Sequence, residues 1–429
     1  MKRILLSIAL AVIIGSAIWV GNFYWKNLRG IGPVIKPTPE DIAEVINTTG
    51  MPLKLPPGFS IEIFTDNLPA ARVMTFDALG NMWVSQTKEG QVSLLEIENG
   101  KVKAVQPIFT RLRNPHGLMF GTGEEQLMLY IAEEHRVSRV PVYSEGDLEK
   151  LVDLPSGGGH FTRTIMWLPG FENQKMLISV GSSCNVCNES DSRRAKILIY
   201  DLKTKELETF ATGLRNSVFI ATHPVTGEIW GTEMGRDLLG DDIPPDEINI
   251  INQGSPSTPL RVKNFGWPTC YGKNILDTDF HKDDHVHIRP DCSEPFELPS
   301  YIDIPAHSAP LGLAFIPARQ NPPPADLGGQ ASGWPEDYWH DLLVAYHGSW
   351  NRSVPTGYKI VRYKLDAQGK FEGVDSTNSP QVEDFITGWL ENNEALGRPV
   401  DILIQPGGII YISDDKAGVI YRVTYNQQI

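Results

Sequence analysis

The chain has 429 residues, a formal net charge of −14, 39 glycines and 32 prolines. The acidic balance, with no long run of Lys or Arg, excludes a nucleic-acid partner, which needs a basic face to neutralise phosphates, and leaves sugars and small neutral substrates open. The Gly and Pro content, with Trp and Tyr scattered throughout, argues against a helical protein and for many short strands joined by turns.

In chain order, the first element is the apolar run Ile4 to Val20, preceded by Lys2 and Arg3. It reads as an export signal. No small-x-small cleavage site stands out, and Trp19, Tyr24 and Trp25 suit a membrane interface. The expectation for 1–26 is therefore an uncleaved signal anchor, with a cleaved signal peptide as the rival. Both put the body in the periplasm or another extracytoplasmic space. Residues 27–51 are polar and Pro-bearing, as a tether would be, and 52–429 form the folded body.

In that body an apolar strand ending on acidic or small residues recurs six times. The repeats are NMWVSQT from Asn81, LMLYIAEE from Leu127, KMLISVGSS from Lys175, EIWGTEMG from Glu228, DLLVAYHG from Asp341 and IIYISDD from Ile409. Such a repeat predicts an all-β, six-bladed β-propeller. Each repeat is followed by an alternating strand, such as QVSLLEI or KILIYDL, and preceded by an outer strand and a loop. The outer strand Phe59 to Leu68 precedes any complete blade, whereas the last strands near Ile420 lack an outer partner. The N-terminal strand is thus expected to complete the sixth blade and remove an open sheet edge. Between Glu228 and Asp341 the spacing more than doubles, which assigns two insertions, Asp277 to Asp291 and Ile316 to Pro335, to the fifth blade.

Cys184, Cys187, Cys270 and Cys292 are an even set in an exported chain, and two disulfides between sequence neighbours, Cys184 with Cys187 and Cys270 with Cys292, are expected. A redox pair or half a metal site is the alternative for the Cys-x-x-Cys. His281, His285 and His287 look like metal ligands by composition, but their loop is inserted, and a solvated polar loop is the favoured reading.

Loops from each outer strand to the next innermost strand converge on the mouth of a propeller's channel. They hold Arg72; Arg113, Asn114 and His116; His160 and Arg163; Arg215 and Asn216; His307 and Ser308; and Arg398. A ring of arginines and histidines in an acidic protein suits a planar polyanion, because guanidinium forks match carboxylates. Taken singly, each arginine is more simply a strand-end salt bridge. A non-catalytic propeller binding glycan or protein has the same architecture, and a calcium-dependent lactonase-type hydrolase would instead show a ring of carboxylate and Asn ligands.

The stretch from Gly213 to Gly272, with GLRNSVF, GTEMGRD, PPDEINIIN and NFGWPTCYG, together with DLLVAYHGSWNRSVPTGYKIVRYKL from Asp341 to Leu365, resembles the quinoprotein glucose and sorbosone dehydrogenases. The resemblance runs from about Leu53 to Tyr425. It implies a propeller that holds pyrroloquinoline quinone (PQQ) and Ca²⁺ and oxidises the C1 hydroxyl of a sugar or a sugar aldehyde. It also assigns roles. His160, in GGGHFTRT, matches the catalytic base, and Arg215 with Asn216 matches the pair that faces the quinone oxygens and the substrate. The backbone carbonyls of Gly235 and Arg236 match those that bind Ca²⁺, with Arg236 in place of a proline-like residue. His116 takes a pocket-lining position that is glutamine in the glucose enzymes. Arg398 matches an arginine that holds a PQQ carboxylate. The lysine that assists it has no clear equivalent, so Arg352 or Lys359 is the candidate substitute, and glucose specificity stays open. No Cys-x-x-Cys-His haem motif is present, so electrons would pass to an external acceptor, a quinone or a cytochrome.

Overall fold

The computed structural model describes residues 47–123, 126–143, 146–252, 262–280, 292–293, 297–318, 333–371, 382–405 and 408–425. The apolar run at the N-terminus and the three clustered histidines lie outside them. Among the described residues no helix is long and apolar enough to cross a membrane.

The strands form six antiparallel blades. Blade one is Ala71–Phe76, Met82–Gln86, Gln91–Glu98 and Lys101–Phe109, and blade two is Leu118–Thr122, Leu127–Glu133, Arg136–Pro141 and Glu149–Asp153. Blade three is Ile165–Trp167, Lys175–Val180, Lys196–Asp201 and Leu207–Thr212, with Lys263–Asn264 added in parallel at its edge. Blade four is Ile220–Thr222, Ile229–Glu233, Asp246–Asn252 and Ile302–Ile304; blade five is Pro310–Phe315, Leu342–Tyr346, Lys359–Tyr363 and Val382–Ile386. Blade six is Pro399–Ile404, Ile410–Asp414 and Val419–Tyr425, completed on its outer edge by Phe59–Thr65. The expected closure by the N-terminal strand is therefore present. It begins earlier than the sequence suggests, because Asn47 bridges Ile61 and its side-chain amide donates to the carbonyls of Met51 and Leu53.

The sequence repeats are the second strands of the blades. Met82–Gln86, Ile229–Glu233, Leu342–Tyr346 and Ile410–Asp414 are buried at every residue, as a strand covered on both faces should be. First strands of neighbouring blades pack on one another around the axis, as Ala71–Phe76 does on both Leu118–Thr122 and Pro399–Ile404. Several of them carry a bulge that interrupts pairing with the second strand, between Ala71 and Met74, Pro310 and Leu313, and Pro399 and Ile402. The placement of the insertions needs correction. One separates Asp246–Asn252 from Ile302–Ile304 and so belongs to blade four; the other joins the first two strands of blade five. Both expected disulfides are formed, Cys184–Cys187 and Cys270–Cys292.

Candidate active site

In a four-stranded antiparallel blade, the loop that leaves the outer strand for the next blade and the loop between the second and third strands emerge on the same face. The mouth of the channel is therefore built from two sets of loops. The first set carries His116, His160, Arg215, Asn216, His307 and Arg398. The second set carries residues 181–195, 234–245 and 347–358 and Asp415, and it supplies most of the partners.

His160 is held by backbone close approach. Gly158 has φ +87°, and a Cβ there would sit 2.6 Å from the Ser183 carbonyl oxygen; a Cβ on Gly181 would sit 2.7 Å from both the His160 Cβ and the Asn216 Oδ1. These glycines let the His160 loop and Asn216 press against the segment that leads into the disulfide. The His160 Nδ1 lies 3.0 Å from the Ser182 carbonyl and 2.9 Å from the Ser182 Oγ, whose own proton goes to the Cys184 carbonyl at 2.7 Å. Both neighbours of Nδ1 are thus acceptors. The proton sits on Nδ1, and Nε2 keeps its lone pair. Burial, then the positive charges of Arg215, Arg163 and Arg194, lowers the His160 pKa to about 3, so the ring is neutral.

Arg215 is 5% exposed, and each arm of its guanidinium is spoken for. Nε donates to the Asn185 carbonyl at 2.8 Å, Nη1 to the carbonyls of Met234 and Gly235 at 3.3 and 2.9 Å, and Nη2 to Asn185 Oδ1 at 2.9 Å and Asp237 Oδ2 at 3.1 Å. The side chain offers a fixed charge rather than free donors. Asn216 beside it takes a Glu233 carboxylate oxygen on its backbone N–H at 2.8 Å. Gly235 is needed where it stands, because a Cβ would meet the Pro245 carbonyl at 2.7 Å. The charge of Arg236 is cancelled inside the fold by Asp277 at 2.9 Å and Asp279 at 3.0 Å. The acidic loop that follows is otherwise employed: Asp246 accepts the N–H groups of Gly235 and Ala309, Glu247 takes Asn249 and the Gly272 N–H, and His307 Nε2 donates to the Gly240 carbonyl.

On the other side of the mouth Arg72, Asp415, His347 and Arg398 form a chain across blades one, six and five. Asp415 takes Arg72 Nη1 at 2.7 Å on one oxygen and His347 Nε2 at 2.9 Å on the other, while Arg398 donates to the carbonyls of His347 and Gly348 at 3.0 and 2.6 Å. Burial works against the Asp415 charge, yet His347, Arg72 and Arg398 hold its pKa below the usual carboxylate range. Burial lowers the His347 pKa to about 4. His116 is fully buried, edge-on to Phe219, with Nδ1 3.3 Å from Thr164 Oγ1. The His116 Nε2 and the Arg72 Nε are buried and have no hydrogen-bond partner among the described residues. Orphaned buried donors and acceptors are costly, and a polar ligand at this end of the channel would satisfy both.

Not every expected residue converges. Arg163 turns back under its own loop onto the carbonyls of His160, Thr162 and Pro155 and braces the histidine instead of joining the ring. Arg113, half exposed, and Asn114 both go to Glu134. Arg352 lies over the acidic loop, on the Asp241 carbonyl at 2.7 Å and Asp242 at 2.9 Å. Lys359 is paired with Asp384 at 2.6 Å on the neighbouring strand. The residues that sequence reasoning did not assign are Ser182, Asn185, His347 and Asp415. Each follows the end of a second strand, in GSSCNVC, AYHG and ISDD, and that position was the available signal.

A family model described as TrAA12-like matches residues 53–426. The chain belongs to this family. Within reach of this TrAA12-like chain is an uncharacterized protein of Borreliella burgdorferi, 30% identical over 90% of this chain and 93% of that protein. A pyrroloquinoline quinone-dependent pyranose dehydrogenase of Coprinopsis cinerea is 24% identical over 85% of this chain, and the match spans only 54% of the fungal protein. Among solved structures, the holo form of the pyranose dehydrogenase PQQ domain from Coprinopsis cinerea superposes with a TM-score of 0.69 at 20% identity, covering 88% of this chain and 100% of that one. The PQQ-bound aldose sugar dehydrogenase of Streptomyces coelicolor gives 0.55 at 14% identity, over 86% of this chain and 99% of that one. These structures establish the TrAA12-like propeller fold, and the family resemblance read from the sequence holds.

Proposed function

We propose that the chain is an exported PQQ- and Ca²⁺-dependent oxidoreductase that oxidises the C1 hydroxyl of an aldose, or a sugar aldehyde such as sorbosone, and passes electrons to an external quinone or cytochrome. The observation that carries this reading is the His160 imidazole: neutral, its proton fixed on Nδ1, its Nε2 without a hydrogen-bond partner among the described residues, and Arg215 nearby. The chain's likeness to the PQQ-dependent pyranose dehydrogenase of Coprinopsis cinerea and to the PQQ-bound aldose sugar dehydrogenase of Streptomyces coelicolor supports it. The two disulfides support export, and the apolar run Ile4 to Val20 is read as the anchor.

When bound, PQQ with Ca²⁺ supplies the two-electron acceptor. The chain does the rest. The His160 Nε2 accepts the proton of the sugar C1 hydroxyl, the part a positioned neutral imidazole plays in general-base catalysis. The Arg215 charge, already locked in place, favours negative charge developing opposite it without reorganisation. Arg72 and His116, with their unpartnered nitrogens, and Arg398 and Asn216 are the residues that would hold the cofactor; the Gly235 and Arg236 carbonyls would hold Ca²⁺, an ion that prefers oxygen ligands. Asp277 and Asp279 neutralise Arg236, and the charge nearest a cation there is that of Arg215, which donates to the Gly235 carbonyl at 2.9 Å and is paired with Asp237. Arg352 and Lys359, already on carboxylates, are assigned to the rim and to blade five. A hydrolytic calcium site would need free carboxylates at the mouth, whereas Asp237 and Asp415 are paired with Arg215 and Arg72.

The test is a spectral titration of the protein with PQQ and Ca²⁺, followed by steady-state turnover of aldoses. The parent should bind saturably. His160→Asn should bind PQQ as the parent does but lose about 10²- to 10⁴-fold in kcat. Parental turnover by that variant would remove His160 as the base.

A further inference from the structure

The Cys-x-x-Cys bridge closes a loop of four residues between the second and third strands of blade three. So short a loop removes less chain entropy than the one closed by Cys270–Cys292. Its effect is local, on the residue that it presents. Asn185 holds Arg215 twice, through its backbone carbonyl and through its side-chain Oδ1, at 2.8 and 2.9 Å. The same Oδ1 accepts the Asp237 N–H at 2.8 Å, and the Asn185 Nδ2 donates back to the Asp237 carbonyl at 3.0 Å. Asp237 in turn takes Arg215 Nη2. One amide thus ties the blade-three loop to the blade-four loop and closes a triangle around the guanidinium. The start of the same loop reaches the other side of the site: the Cys184 carbonyl takes the Ser182 hydroxyl proton, which leaves Ser182 an acceptor for His160 Nδ1. Glu189 braces the entry by accepting the Ser183 N–H and hydroxyl at 2.5 and 2.7 Å.

We propose that Asn185, presented by the Cys184–Cys187 loop, is the positioning residue that fixes Arg215 for the reaction, and that the loop sets the His160 tautomer through Ser182. This rests on the function proposed above. Asn185 does not act on the sugar; it acts through Arg215. A charge that does its work by being held in advance loses that work when its holder is removed.

Asn185→Ala keeps the backbone bond to Nε and deletes the amide triangle, and Cys184→Ser with Cys187→Ser releases the backbone carbonyl as well. Loss of a positioning partner costs about 10- to 100-fold at comparable sites. For Asn185→Ala the expected result is a fall of that size in kcat and a weaker PQQ titration midpoint measured without sugar. Sugar KM should stay within about twofold and the thermal melt should match the parent, because remote substrate contacts and the blades are untouched. The double serine variant should move the same two quantities in the same direction. The proposal is overturned if Asn185→Ala matches the parent in kcat and PQQ midpoint, or if its losses come only with a lowered melt. A parent that binds no PQQ overturns the functional reading and this inference together. A parent that binds and turns over, beside an identical Asn185→Ala, overturns the positioning role alone.

Discussion

A histidine can serve as base only while it is unprotonated, and at His160 the surroundings enforce that state over a wide range. Its pKa falls from the ordinary 6.5 to about 3, chiefly by burial and next by Arg215, with Arg163 and Arg194 adding to it. The shift is downward. The neutral form is therefore favoured in the folded protein, and the stability that this provides is present above pH 6.5 and lost as pH falls toward 3. For catalysis the same sign means that no acid limb due to His160 should cut kcat/KM near pH 6.5, where an unperturbed imidazole would place it. Arg215→Ala removes the second contributor. The imidazole becomes easier to protonate, and the acid limb of that variant should move to higher pH than the parent's. Profiles of kcat/KM carried from pH 8 down through about 3, where the parent's limb lies, decide it for both proteins, and superimposable acid limbs would end the argument.

At the scale of the strand, a small or hydroxyl residue recurs at one position near the end of each second strand. The penultimate residues of the second strands are Ser85, Ala132, Ser179, Thr232, Ala345 and Ser413. Thr232 Oγ1 donates to the Leu311 carbonyl of the next blade at 2.8 Å, and Ser179 does the same to Ser217. Ser413 accepts the Asp401 N–H and donates to the Arg72 carbonyl at 2.5 Å, joining blade six to blade one. These three buried hydroxyls each reach the next blade, whereas Ser85 accepts the Val73 N–H within blade one. Thr232→Ala would leave the Leu311 carbonyl without that donor and should cost about 1–3 kcal/mol in denaturant unfolding. Ser413→Ala should cost at least as much, since two backbone groups lose their partner; no change in either midpoint would reject the staple. These second strands were legible in the sequence because burial gives each an apolar run ahead of the small or acidic residues that follow it. The first strands were not, since Ile165–Trp167 and Ile220–Thr222 are three residues long and others are bulged, so no period survives in them. The site divides along the same line. His160, Arg215 and Arg398 could be read from the loops that open each blade. Asn185, His347 and Asp415 were not assigned, although the second-strand ends that they follow are visible in the sequence, because the antiparallel return of the chain that brings those ends to the same face had not been applied to them. The low pKa of His160 depends on packing and was invisible.

Across the whole molecule the ring is held shut by one strand and one aromatic cluster. Phe59 opens the strand that pairs with Val419–Tyr425, and its ring lies 5.0 to 5.4 Å from those of Trp334, Tyr338, Phe385 and Tyr425. Trp334 and Tyr338 come from the insertion in blade five and Phe385 from its outer strand, so the closing strand of blade six is seated against blade five as well as within its own sheet. Arg422 adds an ion pair to Glu62 across the seam. Truncating a buried phenylalanine costs about 3–5 kcal/mol, so Phe59→Ala should lower the denaturant midpoint by a corresponding amount. Leu79→Ala, at a residue 71% exposed, should stay within about 0.5 kcal/mol. The consequence should reach the site, because Arg398 and Asp415 belong to the blade that this strand completes, and His347 and Arg72 belong to its two neighbours. In Phe59→Ala, at denaturant concentrations where the parent is still folded, PQQ binding should be lost in the same transition as the blade-six tyrosine signal. If binding instead survives the release of the N-terminal strand, the closing strand stabilises the fold without supporting the mouth of the channel.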